Sequence, residues 1–198
     1  PTGLPVGWKP QFITSIALPE SVTDIGVDAF RTCPFLASVS LPSHLKTIGN
    51  GAFLFDRSIT SIVLPDSVTT IGDNAFEDCY ALSSAQLPSN LTTISGALFS
   101  DSSSLNTITI PDTVTKIYDR SFYNCTSLTS VILPSTIRIL YDEIFLNDYC
   151  NVYLKTALSC STRWKDGLYG SIAFYSDTEN KEGSHWHYDS VGKTPILW

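Results

Sequence analysis

The stretch Ser58–Tyr80, SITSIVLPDSVTTIGDNAFEDCY, decides the fold. Its 23-residue pattern occurs six times in phase between Phe12 and Tyr149, with copies starting at Phe12, Phe35, Ser58, Ala81, Ser104 and Ser127. A Leu/Ile-Pro step recurs at Pro19, Pro42, Pro65, Pro88, Pro111 and Pro134, and a phenylalanine at Phe30, Phe53, Phe76, Phe99, Phe122 and Phe145. A fixed period of this length marks a solenoid, in which each unit buries its apolar face only by stacking on its neighbours.

Within the unit, Ile59, Ile62 and Leu64 face inward while Ser61 and Val63 face outward, the alternation of a short strand. Pro65 ends that strand, because proline donates nothing to a ladder, and Asp66-Ser67 form a polar corner. Val68 and Ile71 return inward as a second short strand. Gly72 reads as a position tolerant of positive φ. Asp73-Asn74-Ala75-Phe76 read as the start of a short helical turn with Asp at its N-terminus. Stacking the copies makes apolar columns: Ile16, Val39, Ile62, Ala85, Ile108 and Val131 form one, and Ile25, Ile48, Ile71, Ile94, Ile117 and Leu140 another. Tyr118 and Tyr141 stand where Gly72 does, which implies a different backbone shape in the last two repeats. Asp56 and Asp148 replace the cysteine that closes repeats one, three and five.

Charged residues are 16% of the chain, few against about 25% in ordinary domains, and Ser and Thr take their place on the surface. The net charge is -7 and sits in the repeats: residues 1–150 hold 14 acidic and 7 basic side chains. An acidic solenoid repels phosphate backbones, so nucleic acid is excluded as a partner. No apolar run reaches the roughly 18 residues of a membrane-spanning helix, and no basic-then-apolar leader opens the chain. Without any Met, the sequence reads as a mature or excised piece of a longer protein. Cys33, Cys79 and Cys125 share one position in alternate repeats. At about 4.8 Å per coil they lie roughly 10 Å apart, beyond the disulfide limit of about 7 Å between Cα atoms, so they are expected as buried thiols. Pairing of Cys150 with Cys160 stays open.

Three segments are expected: a Pro/Gly-rich lead over 1–11, the solenoid over 12–149, and a closing segment over 150–198. Trp8 and Phe12 are the apolar groups available to cover the first repeat. In the tail, Val152-Tyr153-Leu154 and Ile172–Tyr175 read as strands and Ala157 to Lys165 as a helix, with Trp164, Trp186 and Trp198 supplying a small aromatic cap.

The unit LxxIxLPxSVTxIGxxAFxxC resembles the BspA-like leucine-rich repeat of surface proteins in bacteria and some protozoa. Phe174-Tyr175-Ser176, Trp186-His187-Tyr188 and Trp198 are similar to the closing segment that follows such repeats in surface proteins of gut Firmicutes. The resemblance implies an α/β leucine-rich-repeat solenoid, predominantly parallel β with short helical turns. It implies export to the cell surface and binding of an extracellular protein or glycan, since some members adhere to host matrix proteins. The fold carries over with the repeat; the ligand does not.

Candidate binding positions are the outward ladders. One runs through Ser15, Ser38, Ser61, Ser84, Thr107 and Ser130, its neighbour through Ala17, Ser40, Val63, Gln86, Thr109 and Ile132. They make a small-residue, uncharged surface suited to a protein strand or a glycan. A second candidate is an aromatic patch of Phe55, Tyr80, Tyr118, Tyr123 and Tyr141, at positions that are polar or small in the other repeats. No nucleophile elbow, phosphate loop or zinc-binding helix motif occurs. His185 and His187 flank Trp186 without a third ligand in view, so neither an enzyme nor a metal or cofactor site is expected. The runner-up to an interaction module is a rigid spacer in a larger surface protein.

Overall fold

The computed structural model describes residues 12–155 throughout, and beyond them the strands at residues 172–175, 185–188 and 195–197. Two columns of short strands stack along the solenoid. The first holds β1 (Ser15–Ala17), β3 (Ser38–Ser40), β5 (Ser61–Val63), β7 (Ser84–Gln86), β9 (Thr107–Ile108) and β11 (Ser130–Leu133). The second holds β2 (Asp24–Ile25), β4 (Thr47–Ile48), β6 (Thr70–Ile71), β8 (Thr93–Ile94), β10 (Lys116–Ile117) and β12 (Ile139–Leu140). Pairing is parallel and in the repeat's own register, as in Ser61↔Ser84 and Ile48↔Ile71. Each proline closes its strand, and its carbonyl then accepts the N–H three residues on, as in Val68 N to Pro65 O at 3.0 Å.

The first column continues past the repeats. β13 (Asn151–Leu154) pairs with β11 as Ser130↔Asn151, so the register shortens from 23 residues to 21. β14 (Ile172–Tyr175) and β15 (His185–Tyr188) add in parallel, and β16 (Pro195–Leu197) adds antiparallel. The helix expected at Ala157–Lys165, the cap residues Trp164 and Trp198, and Cys160 lie outside the described residues, as does Trp8. Phe12 does not cover the first coil: it is 84% exposed.

The expected helical turns are absent; no helix occurs among the described residues. The third side of the coil alternates its donors instead. Phe30 N, Phe53 N and Phe76 N reach the carbonyls of Ala52, Ala75 and Leu98 one coil ahead at 2.8, 2.9 and 3.0 Å. The intervening N–H groups fold back three residues, as Glu77 N does to Asn74 O at 3.2 Å. Residues in the left-handed region recur at fixed places, Asn74 at φ 60° and Asp78 at φ 58° in the third copy. Alternating handedness is incompatible with an α-helix, in which every N–H points the same way. Asp73 is accordingly no helix cap. Its Oδ1 accepts Gly96 N of the next coil at 2.9 Å, as Asn50 Oδ1 accepts Asp73 N at 3.1 Å.

Gly72 also has another cause than the one expected. Its φ is not positive. A Cβ there would lie 2.7 Å from Asn50 Cα and would press on the Asn50 backbone N and side chain, so glycine is required by the approach of the neighbouring coil. Gly72→Ala is expected to destabilise the fold by about 1–3 kcal/mol, the usual cost of overpacking, read as a shift in the urea midpoint. Tyr118 and Tyr141 keep the glycines' backbone arrangement: their N–H groups reach Ile94 O and Ile117 O at 2.9 and 3.0 Å, as Gly72 N reaches Ile48 O at 2.8 Å.

The six phenylalanines are fully buried and stack from coil to coil with ring centroids 5.1–5.8 Å apart. Around this column the coils alternate in pairs. After each proline the chain reads Glu20, Ser43, Asp66, Ser89, Asp112 and Ser135, and two residues further Val22, Leu45, Val68, Leu91, Val114 and Ile137. In the first two pairs the odd copy's acid caps the even copy's turn, Glu20 accepting Ser43 N at 3.0 Å and Asp66 accepting Ser89 N at 2.7 Å; in the third, Asp112 bridges to Lys155. The closing position alternates in step, as Cys33, Asp56, Cys79, Ser102, Cys125 and Asp148. The sequence thus repeats in units of two coils, 46 residues, each with one acid after its first proline and one thiol.

Candidate interaction surfaces

The first strand column presents its odd side chains to solvent. Ser15, Ser38, Ser61, Ser84 and Thr107 are exposed, as are Ala17, Ser40, Gln86 and Thr109; Ser130 and Ile132 are half-buried, and Val63 is 62% exposed. The two ladders therefore form one surface, and it is less flat than the residue types suggest. Where it meets the proline turns it dips into shallow depressions. One of about 560 Å³ is lined by Ser38, Ser40, Ser61, Val63 and Glu20. Another of about 470 Å³ is lined by Gln86, Thr109 and Asp112, and a third of about 380 Å³ by Thr107, Ser130, Ile132 and Lys155. Lys155 bridges to Asp112 at 3.1 Å. Acids thus rim the surface once per pair of coils, on the side where the sequence pattern showed only turn residues. Hydrogen bonding from Ser89 lowers the Asp66 carboxyl from its ordinary value.

The five aromatics divide into separate contacts. Tyr118 and Tyr141 stack on each other, centroids 4.6 Å apart and rings within 9°. Tyr123 lies under Arg120 at 5.9 Å, Tyr80 under Arg57 at 5.0 Å, and Phe55 under Arg31 at 5.7 Å. No ring–ring contact joins these groups among the described residues. The arginines were missed in the sequence, although Arg57 precedes Tyr80 by one full period and so stands beside it in the stack.

Two carboxyls are buried at the closing position. Asp56 and Asp148 have no exposed surface. Asp56 Oδ1 accepts Cys33 N at 2.6 Å, but among the described residues its Oδ2 and both oxygens of Asp148 have no hydrogen-bond partner. Burial pushes both carboxyls up to about 8, offset only in part by the approach of the Cys33 and Cys125 backbones. Raised carboxyls often mark active sites, but these two lie inside the packed coil, where no substrate reaches them. The other occupants of the position show what it asks for: Cys79 Sγ, Ser102 Oγ and Cys125 Sγ donate to the carbonyls of Phe53, Phe76 and Phe99 at 3.3, 2.9 and 3.1 Å. A neutral carboxyl supplies such a donor and a carboxylate does not. The thiols are buried and unbonded, Cys150 included. Burial pushes Cys33 and Cys150 up to about 12 and Cys79 and Cys125 well upward, which leaves them unreactive.

Parallel ladders in a period of 23, a stacked phenylalanine column and a buried Cys/Ser/Asp file define a leucine-rich-repeat solenoid. The model of the BspA type leucine-rich repeat region, which holds six copies, matches residues 9–125 and again 54–162, and the chain belongs to that family. Proteins of this family are generally repeat scaffolds. The fold is similar to that of a leucine-rich repeat protein from Bacteroides ovatus (TM-score 0.64, 23% identity, covering 82% of this chain and 55% of that one). It is also similar to a leucine-rich cell surface protein from Faecalibacterium prausnitzii (TM-score 0.54, 25% identity, 80% and 52%). The chain thus spans about half the length of each. No curated protein matches the sequence.

Proposed function

We propose that the chain is a non-catalytic interaction module of a cell-surface protein, binding an extracellular protein or glycan through the first strand column. The observation that carries this reading is the surface of Ser15, Ser38, Ser61, Ser84 and Thr107 with Ala17, Ser40, Val63, Gln86 and Thr109, exposed and continued by the half-buried Ser130 and Ile132, with Glu20, Asp66 and Asp112 at the adjoining proline turns. Small hydroxyl side chains let a partner's backbone or a sugar approach closely, and a regular spacing suits an extended ligand. Surface display is supported by the description of the Faecalibacterium relative. The second reading, a rigid spacer, draws on the stacked core, which needs no ligand to hold its shape.

Biolayer interferometry against immobilised fibronectin, fibrinogen and mucin glycans separates the two. Saturable binding is expected, lost when the sample is unfolded. In the variant Ser61→Lys/Ser84→Lys affinity should fall at least about tenfold, since two buried, unpaired charges cost well over the 1.4 kcal/mol that tenfold requires. Flat traces across the panel would favour the spacer, and saturable binding indifferent to that variant would overturn the strand ladders as the contact surface.

A further inference from the structure

Beside Asp56, on a different side of the coil from the strand ladders, lies a shallow depression of about 330 Å³ lined by Thr32, Pro34, Phe55 and Arg57. The backbone there is demanding. One position in every copy adopts the left-handed region: Thr32, Phe55, Asp78, Asp101, Asn124 and Asn147 have φ between 56° and 68°. Short polar residues tolerate that conformation best, and Asp or Asn fills four of the six places. Phe55 alone puts a large ring at this strained position, half-exposed, outside the phenylalanine column that forms the core.

Arg57 is the second unusual feature. Three arginines lie over aromatic rings among the described residues, and two of them also hold a carboxylate. Arg120, over Tyr123, donates to Glu143 at 2.7 Å; Arg31, over Phe55, donates to Asp28 at 3.3 Å. Arg57, over Tyr80 at 5.0 Å and exposed, has no carboxylate within ion-pair distance among the described residues. The acids that share Tyr80 with it are engaged elsewhere, Asp101 accepting from Asn124 at 2.7 Å and Asp78 from the Tyr80 hydroxyl, and its chain neighbour Asp56 is buried against Cys33. The ring fixes the plane of the guanidinium and leaves its N–H edge free, the arrangement that takes a carboxylate in a fork.

We propose that this depression binds a peptide, with an Asp or Glu carboxylate on Arg57 and an adjacent apolar side chain against Phe55 and Pro34. Charge complementarity comes from Arg57, the one stacked arginine among the described residues without a carboxylate at ion-pair distance, and Arg120 with Glu143 is the chain's own example of the completed contact. A peptide fits better than an acidic sugar because Thr32 is the one hydroxyl in the lining, whereas a sugar ring asks for many polar partners and an open aromatic face. The site shares no lining residue with the strand-ladder depressions, so it stands or falls independently of them.

The test is an NMR titration of the isotope-labelled chain, following the Arg57 Nε–Hε signal and the Phe55 and Arg57 amides. The probes are N-acetyl-Glu-Leu-amide, the uncharged N-acetyl-Gln-Leu-amide, and glucuronate. The Glu peptide is expected to give saturable shifts, at least about tenfold weaker with the Gln peptide and with Arg57→Gln, while Arg120→Gln changes nothing. Phe55→Asn is expected to weaken binding yet raise the melting temperature, because it relieves the backbone at that position. Equal shifts from both peptides, shifts from glucuronate alone, no response at Arg57, or a lower melting temperature for Phe55→Asn would overturn the proposal.

Discussion

Raising the pH from 5 to 9 is expected to destabilise the solenoid through Asp56 and Asp148, and the double variant Asp56→Ser/Asp148→Ser is expected to resist. Both carboxyls have a folded pKa of about 8 against an ordinary 3.8. Between those values the unfolded chain has released two protons that the folded chain still holds. Their contribution is therefore fully present below about pH 4, declines through the interval and is gone above about pH 8. Each carboxyl changes stability by up to about 1.4 kcal/mol per pH unit within the window, so the pair makes the fall with pH up to twice as steep as either alone. Serine is the proper replacement because Ser102 already occupies the same file and donates to Phe76 O at 2.9 Å. Urea unfolding at pH 5, 7 and 9 checks it. Parallel curves for wild type and variant across that range would show that the two carboxyls are not held neutral.

Phe76→Ala is expected to lower the unfolding free energy by about 3–5 kcal/mol, the cost of deleting a buried ring whose cavity cannot collapse. Phe76 is fully buried and stacks on Phe53 at 5.1 Å and Phe99 at 5.8 Å, so removal breaks two ring contacts at once. Because each coil touches only its neighbours, the damage should split the array there. Hydrogen exchange should show lost protection in coils two to four before the rest. Uniform loss along the whole chain, or a cost below about 1 kcal/mol, would mean that the column is not the principal tie between coils.

The period, the strands and the core columns were legible because they depend on apolar spacing, which the sequence displays directly. The third side of the coil was not. Asp73-Asn74-Ala75-Phe76 carries helix-start residues, and nothing local reveals that Phe76 N finds Leu98 O one coil away. Gly72 was visible as a glycine, but its cause is the Asn50 backbone of another coil. The ladders Ser15 to Ser130 and Ala17 to Ile132 follow from strand alternation. The depressions between them and the proline turns depend on how the coils curve. Arg57 on Tyr80 was within reach, since both occupy the same place in the period. The charge state of Asp56 was not, because it arises from burial alone.

The pairing of coils has a consequence for how such an array can change length. Excising residues 35–57 would bring Glu20 against Asp66, two acids where an acid met a serine. It would also set Cys33 on Cys79, one coil apart at about 4.8 Å, inside the span that a disulfide bridges. Excising 46 residues in phase keeps acid beside serine and thiol beside a residue without sulfur. The alternation therefore acts as a spacer between sulfurs, and loss or gain of coils is tolerated in twos.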